Sequence, residues 1–361
     1  MKLDTEGVLP YQILTKMIAS NEITASKQIE QDQIQPSSLD LRLSEKAWRL
    51  QASFLPGKNS KVSDELKELA MHEIDLTNGS ILEKNCVYLV LLQECVQLPP
   101  NVNAIANTKS SIGRLDLLTR LITDNGEEFD RVTKGYNGPL YAEISPRSFS
   151  VLAKYGSRLN QIRFRRGKVI IDDKDLTSLN RDKNLLGNSA SVDGGINFSI
   201  DLQTAPGKTL GYKAKSNAPL INLDKVNFYD VSDFWDIIET KGDKLILDPG
   251  AFYILMSKET VTIPPGYAAE MAPYVAMVGE FRVHYAGFFD PGFGVVESGG
   301  SGSRGVLEVR CHEAPFALKN GQIIGKLIYE KMAEIPHVLY GEELNSNYQG
   351  QKLKLSKHFK P

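Results

Sequence analysis

Through most of the chain, apolar and polar residues alternate over short runs, the period-2 signature of strands; only near the amino terminus does the spacing become helical. Leu9, Ile13, Leu14, Met17 and Ile18 recur at helical intervals behind Pro10, a residue suited to a first helical turn, so a short amphipathic helix opens the chain. Strand-like runs follow, VYLVLLQECVQL over residues 87–98 being the clearest, closed by Pro99-Pro100. After residue 90 no long helical pattern interrupts them until Asp230 to Ile238. Short runs cut by PP, NG and PG turns predict a β-barrel or sandwich.

Late in the chain, RVHYAGFFDPGFGVVESGGSGSRGVLEVR (residues 282–310) reads as a strand, a turn at Asp290-Pro291-Gly292, a glycine-rich tip and a return strand. Val306, Glu308 and Arg310 alternate there with Leu307 and Val309, which puts Glu308 on the polar side of a half-buried strand. Such a carboxylate has its proton affinity raised by partial burial and can shuttle protons; a lone strand glutamate is more often simply solvated. The tip, ESGGSGSRG, lacks the GK[ST] ending of a phosphate loop and reads as a flexible hairpin end.

The pattern repeats. Ser38-Leu39-Asp40-Leu41 recurs as Ser199-Ile200-Asp201-Leu202, and Val96-Gln97-Leu98-Pro99-Pro100 as Val261-Thr262-Ile263-Pro264-Pro265. Glu143 in PLYAEIS matches Glu308 in GVLEVR, and Tyr155-Gly156 matches Asn320-Gly321. The last three matches share one spacing, 165 residues, which predicts two tandem β domains, residues 1–170 and 171–361, joined through a polar linker near 167–195.

Composition narrows the chemistry. Of 361 residues, 42 are basic and 44 acidic, so no global charge favours nucleic acid or a membrane surface, and any anion site is local. No apolar run is long enough for a membrane span, and MKLDTEGVLPY lacks the apolar core of a signal peptide, so the expected location is the cytoplasm. Cys86, Cys95 and Cys311 form neither a metal-ligand spacing nor a disulfide framework.

Asn107-Thr108-Lys109-Ser110-Ser111-Ile112-Gly113-Arg114-Leu115 brings two hydroxyls and a guanidinium within five residues, donors that suit a phosphate. The same letters also serve as a helix cap with a solvated arginine. In combination, IQPSSLDLRL, KSSIGRL, GYNGPLYAEIS, HYAGFFDPGF and the tail segment NYQGQ resemble the dCTP deaminase branch of the dUTPase-like superfamily. The resemblance covers most of the chain and implies a mainly β fold, two tandem dUTPase-like distorted jelly-roll or barrel domains with the short N-terminal helix. It also implies hydrolysis of the 4-amino group of dCTP to dUTP and ammonia, with Mg²⁺ accompanying the triphosphate. Zinc is not expected: the H-x-E and P-C-x-x-C of a zinc deaminase are absent, so protein groups must activate water.

By match of motif, Glu308 is the expected acid/base, with Glu143 as the alternative, and Ser110, Ser111 and Arg114 handle the phosphates. Arg131 stands where the family has an arginine near the base. Backbone groups around Tyr285, Ala286 and Gly287 would read the cytosine edge, with His284 in the same hairpin a further nucleotide-binding candidate; Phe288 or Phe293 would pack near the ring and Asp290 would meet the sugar 3′-hydroxyl. Tyr348, Gln351 and Lys354 would close over the triphosphate, unless the lysine-rich tail is only solvated. The first half keeps the Ser-Ser-x-x-Arg motif but reads Thr133-Lys134-Gly135 for the Asp-Pro-Gly turn; the second keeps the hairpin and tail but reads PYVAMVGEF where the serines should lie. One composite inter-domain site per chain is the economical expectation. The expected partner is dCTP, with self-association into a homo-oligomer open and neither nucleic acid nor membrane involved. A dUTP pyrophosphatase, a bifunctional enzyme and a non-catalytic nucleotide-binding protein remain the rival readings.

Overall fold

The structure, a computed structural model, describes residues 5–187, 190–203, 208–239, 242–273, 281–283, 287–296, 302–311, 314–341 and 348–361. It is mainly β, 44% strand against 12% helix, with barrel-like sheets. The opening helix, Tyr11–Ala19, forms behind Pro10 as the spacing predicts and buries Leu14 and Met17. Two expectations fail. A helix that the apolar spacing does not predict, Asp173–Lys183, occupies the polar stretch, while Asp230 to Ile238 forms one helical turn, Val231–Phe234, and then the strand Trp235–Glu239.

The chain divides into two compact units. The first comprises Met1–Val169 with Pro219–Val226 and Met332–His337. Its strand Asn137–Pro146 pairs antiparallel with Val87–Gln97 on one side and Leu117–Thr123 on the other. Arg158–Arg166 lies between Leu39–Leu50 and Val102–Thr108. The late segment Met332–His337 is tied to the opening helix: Gln12 Nε2 donates to Ile335 O (2.9 Å), and His337 N donates to Gln12 Oε1 (3.1 Å).

In the second unit, Ser303–Cys311 pairs with Phe252–Val261, and Ile323–Lys331 pairs with Ile196–Ser199 and Tyr267–Pro273. Its core includes Phe198, Tyr253, Leu307, Val309 and Tyr329. Contrary to the half-buried reading, Val306 to Cys311 is buried on both faces, Glu308 and Arg310 included.

Strand registers in the two units coincide. Glu143 faces Leu89 and Glu308 faces Ile254; Asn160 faces Thr108 and Gly325 faces Pro273; all four positions advance by 165 residues. One sequence match is corrected. Glu94 Oε2 accepts from Arg42 N (2.8 Å) and Glu259 Oε2 from Ser199 N (2.8 Å), so Ser199 stands at the place of Arg42, four residues from Ser38. A slip of four leaves every side chain on its original face, so alternation alone cannot detect it.

Candidate active site

In the first unit, Lys109 ends an extended run and the chain then turns through one helical turn, Ser110–Gly113. Lys109 O accepts from Ile112 N (2.8 Å) and Gly113 N (2.9 Å), and Ser110 O accepts from Arg114 N (3.1 Å). Buried Ile112 and Leu115 pin the turn to the core, which leaves Ser110 half-buried and Ser111 and Arg114 buried beside it. A guanidinium only 3% exposed is costly to hold without anionic or polar company, and with two hydroxyls on the same turn the set has the donor chemistry of an oxyanion site.

Glu143 lies on the strand next to the edge strand Leu117–Thr123, 1% exposed and directly opposite Arg120. Arg120 Nε donates to Glu143 Oε1 (3.0 Å), and an Nη donates to the same oxygen. Arg120 also stacks over Phe129, 3.7 Å to the ring centroid, and donates to Ser53 Oγ (2.9 Å). One carboxylate oxygen is thereby occupied by a fixed cation. Two residues earlier, burial pushes the Tyr141 phenol up to about 12, so it remains a neutral hydroxyl near neutral pH. Arg131 is exposed at the end of the short strand Arg131–Val132, 3.6 Å from Glu128.

In the second unit, Glu308 is 4% exposed between buried Leu307 and Val309. The strand Phe288–Phe289 pairs with Tyr267–Pro273, and Gly287 O accepts from Met271 N (3.1 Å). Phe288 and Asp290 are buried. The turn after them closes through Phe293 N to Asp290 O (3.1 Å), with Gly292 at φ +98°. Its first-unit counterpart keeps the geometry without the aspartate: Tyr136 N donates to Thr133 O (3.2 Å), with Gly135 at φ +69°. Both glycines occupy the left-handed region that a side chain disfavours. Phe293 stacks against Phe289 (5.2 Å) and Tyr340 (5.6 Å), which fixes the hairpin base. His284, Tyr285 and Ala286, expected to read the base, lie outside the described residues.

The tail segment packs on this hairpin. Gln349 Nε2 donates to Gly292 O (3.1 Å), and its Oε1 accepts from Gly294 N (3.1 Å), clamping the chain just past Asp290. Gln351 exchanges two bonds with Arg304: Nε2 to Arg304 O (3.0 Å) and Arg304 N to Gln351 O (3.1 Å). Tyr348 is buried under Lys354, whose Nζ lies 5.6 Å from the ring centroid. The remaining tail is ordered against the same unit. Phe359 packs with Phe234 (5.3 Å) and Trp235 (5.9 Å), and buried His358 Nδ1 meets Ser356 Oγ at 2.7 Å. The solvated-tail reading fails because an aromatic anchor, Phe359, lies beyond Lys352, Lys354 and Lys357. Sequence reasoning passed over Gln349, Arg120, Tyr340 and Phe359. Of these, only Gln349 stands inside a family motif, NYQGQ.

Models of the 2′-deoxycytidine 5′-triphosphate deaminase N-terminal and C-terminal domains match residues 5–168 and 172–359. The chain is 29% identical over 163 residues to a "dCTP deaminase, dUMP-forming" of Halobacterium salinarum, covering 42% of this chain and 78% of that one. It is 32% identical over 127 residues to one of the same description from Nocardioides sp., covering 34% and 63%. A crystal structure of 2′-deoxycytidine 5′-triphosphate deaminase from Agrobacterium tumefaciens superposes with a TM-score of 0.88 at 48% identity, covering 92% of this chain and 97% of that one. With both domain models matched and a solved deaminase superposed over 92% of its length, this chain belongs to the 2′-deoxycytidine 5′-triphosphate deaminase family and is an enzyme that deaminates dCTP.

Proposed function

We propose that the chain hydrolyses dCTP to dUTP and ammonia with Glu308 as the acid/base. Glu308 takes a proton from water as the oxygen attacks C4, delivers it to the ring nitrogen, and assists loss of the 4-amino group as ammonia. The observation that carries this choice is the pair in the first unit: Glu143 already accepts twice from Arg120 on one oxygen. One oxygen of that carboxylate is thereby committed to an ion pair across the strands, which gives Glu143 a structural part in its sheet.

The two halves supply different parts of one working set. Ser110, Ser111 and Arg114 hold and orient the triphosphate; residues 284–287 read the base edge, Phe288 lies near the ring, and Asp290 meets the 3′-hydroxyl. Supporting this division, the second half reads PYVAMVGEF where the first carries its Ser-Ser-x-x-Arg motif, and that stretch holds neither the paired serines nor the arginine. The register displacement of 165 residues supports an origin of both halves from one duplicated dUTPase-like unit. Tyr348, Gln351 and Lys354 cover the nucleotide, with Gln349 holding the segment in place. Arg131, exposed and near Glu128, has at most a lesser role at the base.

Magnesium arrives with the triphosphate. In that reading the ion is carried by phosphate oxygens and water. The proposed chemistry proceeds without zinc, and the proposed location is the cytoplasm.

The second reading is formation of dUMP and pyrophosphate in the same active site, favoured by the description of the Halobacterium and Nocardioides relatives. Incubating zinc-stripped protein with dCTP and Mg²⁺, and quantifying ammonia, dUTP, dUMP and pyrophosphate separately, tests both. Ammonia and dUTP in equal amounts are expected; stoichiometric dUMP and pyrophosphate would replace the first reading with the second.

A further inference from the structure

The motif IQPSSLDLRL has no role in the set above, yet it contains Asp40, a carboxylate only 2% exposed. Asp40 sits on the strand Leu39–Leu50 directly opposite Gln161. Its Oδ2 accepts from the ammonium of Lys109, and its Oδ1 is buried with no hydrogen-bond partner. Burying a carboxylate is costly unless a counter-charge meets it, so this aspartate is bound to Lys109 far more firmly than an exposed pair would be. Lys109 is partly exposed, with its side chain at 23%.

Lys109 is also the residue from which the helical turn hangs. Its N donates to Leu159 O (2.9 Å), and its O accepts the first two hydrogen bonds of the turn that carries Ser110, Ser111 and Arg114. Alongside, Gln161 Nε2 donates to Asn107 Oδ1 (2.9 Å), fixing the strand that leads into Lys109. Asp40 and Gln161 thus form a polar floor, and the only side-chain tether running from that floor to the turn among these bonds is Asp40 to Lys109.

We propose that Asp40 is a positioning residue for the triphosphate turn, acting through Lys109 and not by touching substrate. Held by Asp40, Lys109 keeps the turn in one orientation before the nucleotide arrives; without it, part of the binding energy must order the turn. The inference rests on the reading of Ser110, Ser111 and Arg114 as the triphosphate set.

A double-mutant cycle on the full-length protein tests it, with dCTP kinetics and thermal unfolding of Asp40→Asn, Lys109→Met and the double variant, and Lys109→Arg as the conservative control. Asp40→Asn is expected to raise KM for dCTP about tenfold with kcat within about twofold. In the Lys109→Met background the same change should add almost nothing, and Lys109→Arg should retain near-native KM. Additive effects in the cycle, or an unchanged KM with only a lowered Tm, would overturn the proposal. Arg114→Met separates the two failures. If it leaves KM and kcat unchanged, the triphosphate reading falls; if it is severe while Asp40→Asn is silent, only the role of Asp40 falls.

Discussion

Glu143 and Glu308 occupy one register position in two sheets, Glu143 bonded to the arginine across from it, and the proposed function assigns the proton transfer to Glu308. Replacing Glu308 with Gln keeps size and hydrogen bonding but removes the proton carrier, so kcat should fall by about 10² to 10⁴. Glu143→Gln should leave turnover within a few-fold and cost about 1 kcal/mol of stability, since Arg120, 27% exposed, recovers part of its solvation. Urea unfolding and dCTP turnover on the two variants check both statements. A second residue-scale test concerns acid. The hydrogen bond from Arg158 is the main cause holding the Asp32 carboxyl below its ordinary 3.8, with desolvation opposing and the guanidinium charge adding. A carboxyl lowered in the native state stabilises above its unfolded value and ceases to do so as pH falls through the lowered one. Arg158→Ala should therefore shift the urea midpoint at pH 7, and the difference should narrow below about pH 4.

At the scale of elements, the sequence disclosed what periodicity and short motifs can carry. The helix Tyr11–Ala19 was legible from its apolar spacing and Pro10, and the strands bearing Glu143 and Glu308 from alternation and a shared offset. The helix Asp173–Lys183 was not, because it buries only Leu176 and Asn180 and its stripe is too thin to register. Its signals were local ones: Asp172 Oδ1 accepts from Asp175 N (3.0 Å), and Asn184 ends the helix in the left-handed region at φ +50°. Trp235 to Glu239 misled in the other direction, its apolar residues serving a strand that pairs with Thr209–Ala214. The tail anchor joins Phe359 to residues about 125 positions earlier, a distance no motif spans. Phe359→Ala should lower stability by about 3 kcal/mol, the scale of a buried aromatic truncation. Calorimetry gives the loss, and kinetics should show a raised KM for dCTP if the anchor also holds the segment Tyr348–Gln351 in place; an unchanged KM would assign Phe359 to stability alone.

For the whole molecule, the first β unit carries the turn Ser110–Gly113 and the second carries the hairpin with its tail clamp, parts that the proposed function assigns to one nucleotide. On the proposed duplication, once one copy of each part suffices the other is free to drift; Thr133 and Asp290 head turns of the same geometry with different side chains. Register is held in both units by the strand ladders and by carboxylates that accept from backbone N–H groups, Glu94 from Arg42 and Glu259 from Ser199. The central claim is that a single carboxylate, Glu308, moves the proton. Ammonia release from dCTP by zinc-stripped Glu308→Gln and Glu143→Gln proteins, measured side by side at saturating substrate, tests it most directly. The account predicts near-complete loss in the first and near-native rates in the second; the reverse pattern would contradict it and place the chemistry at Glu143.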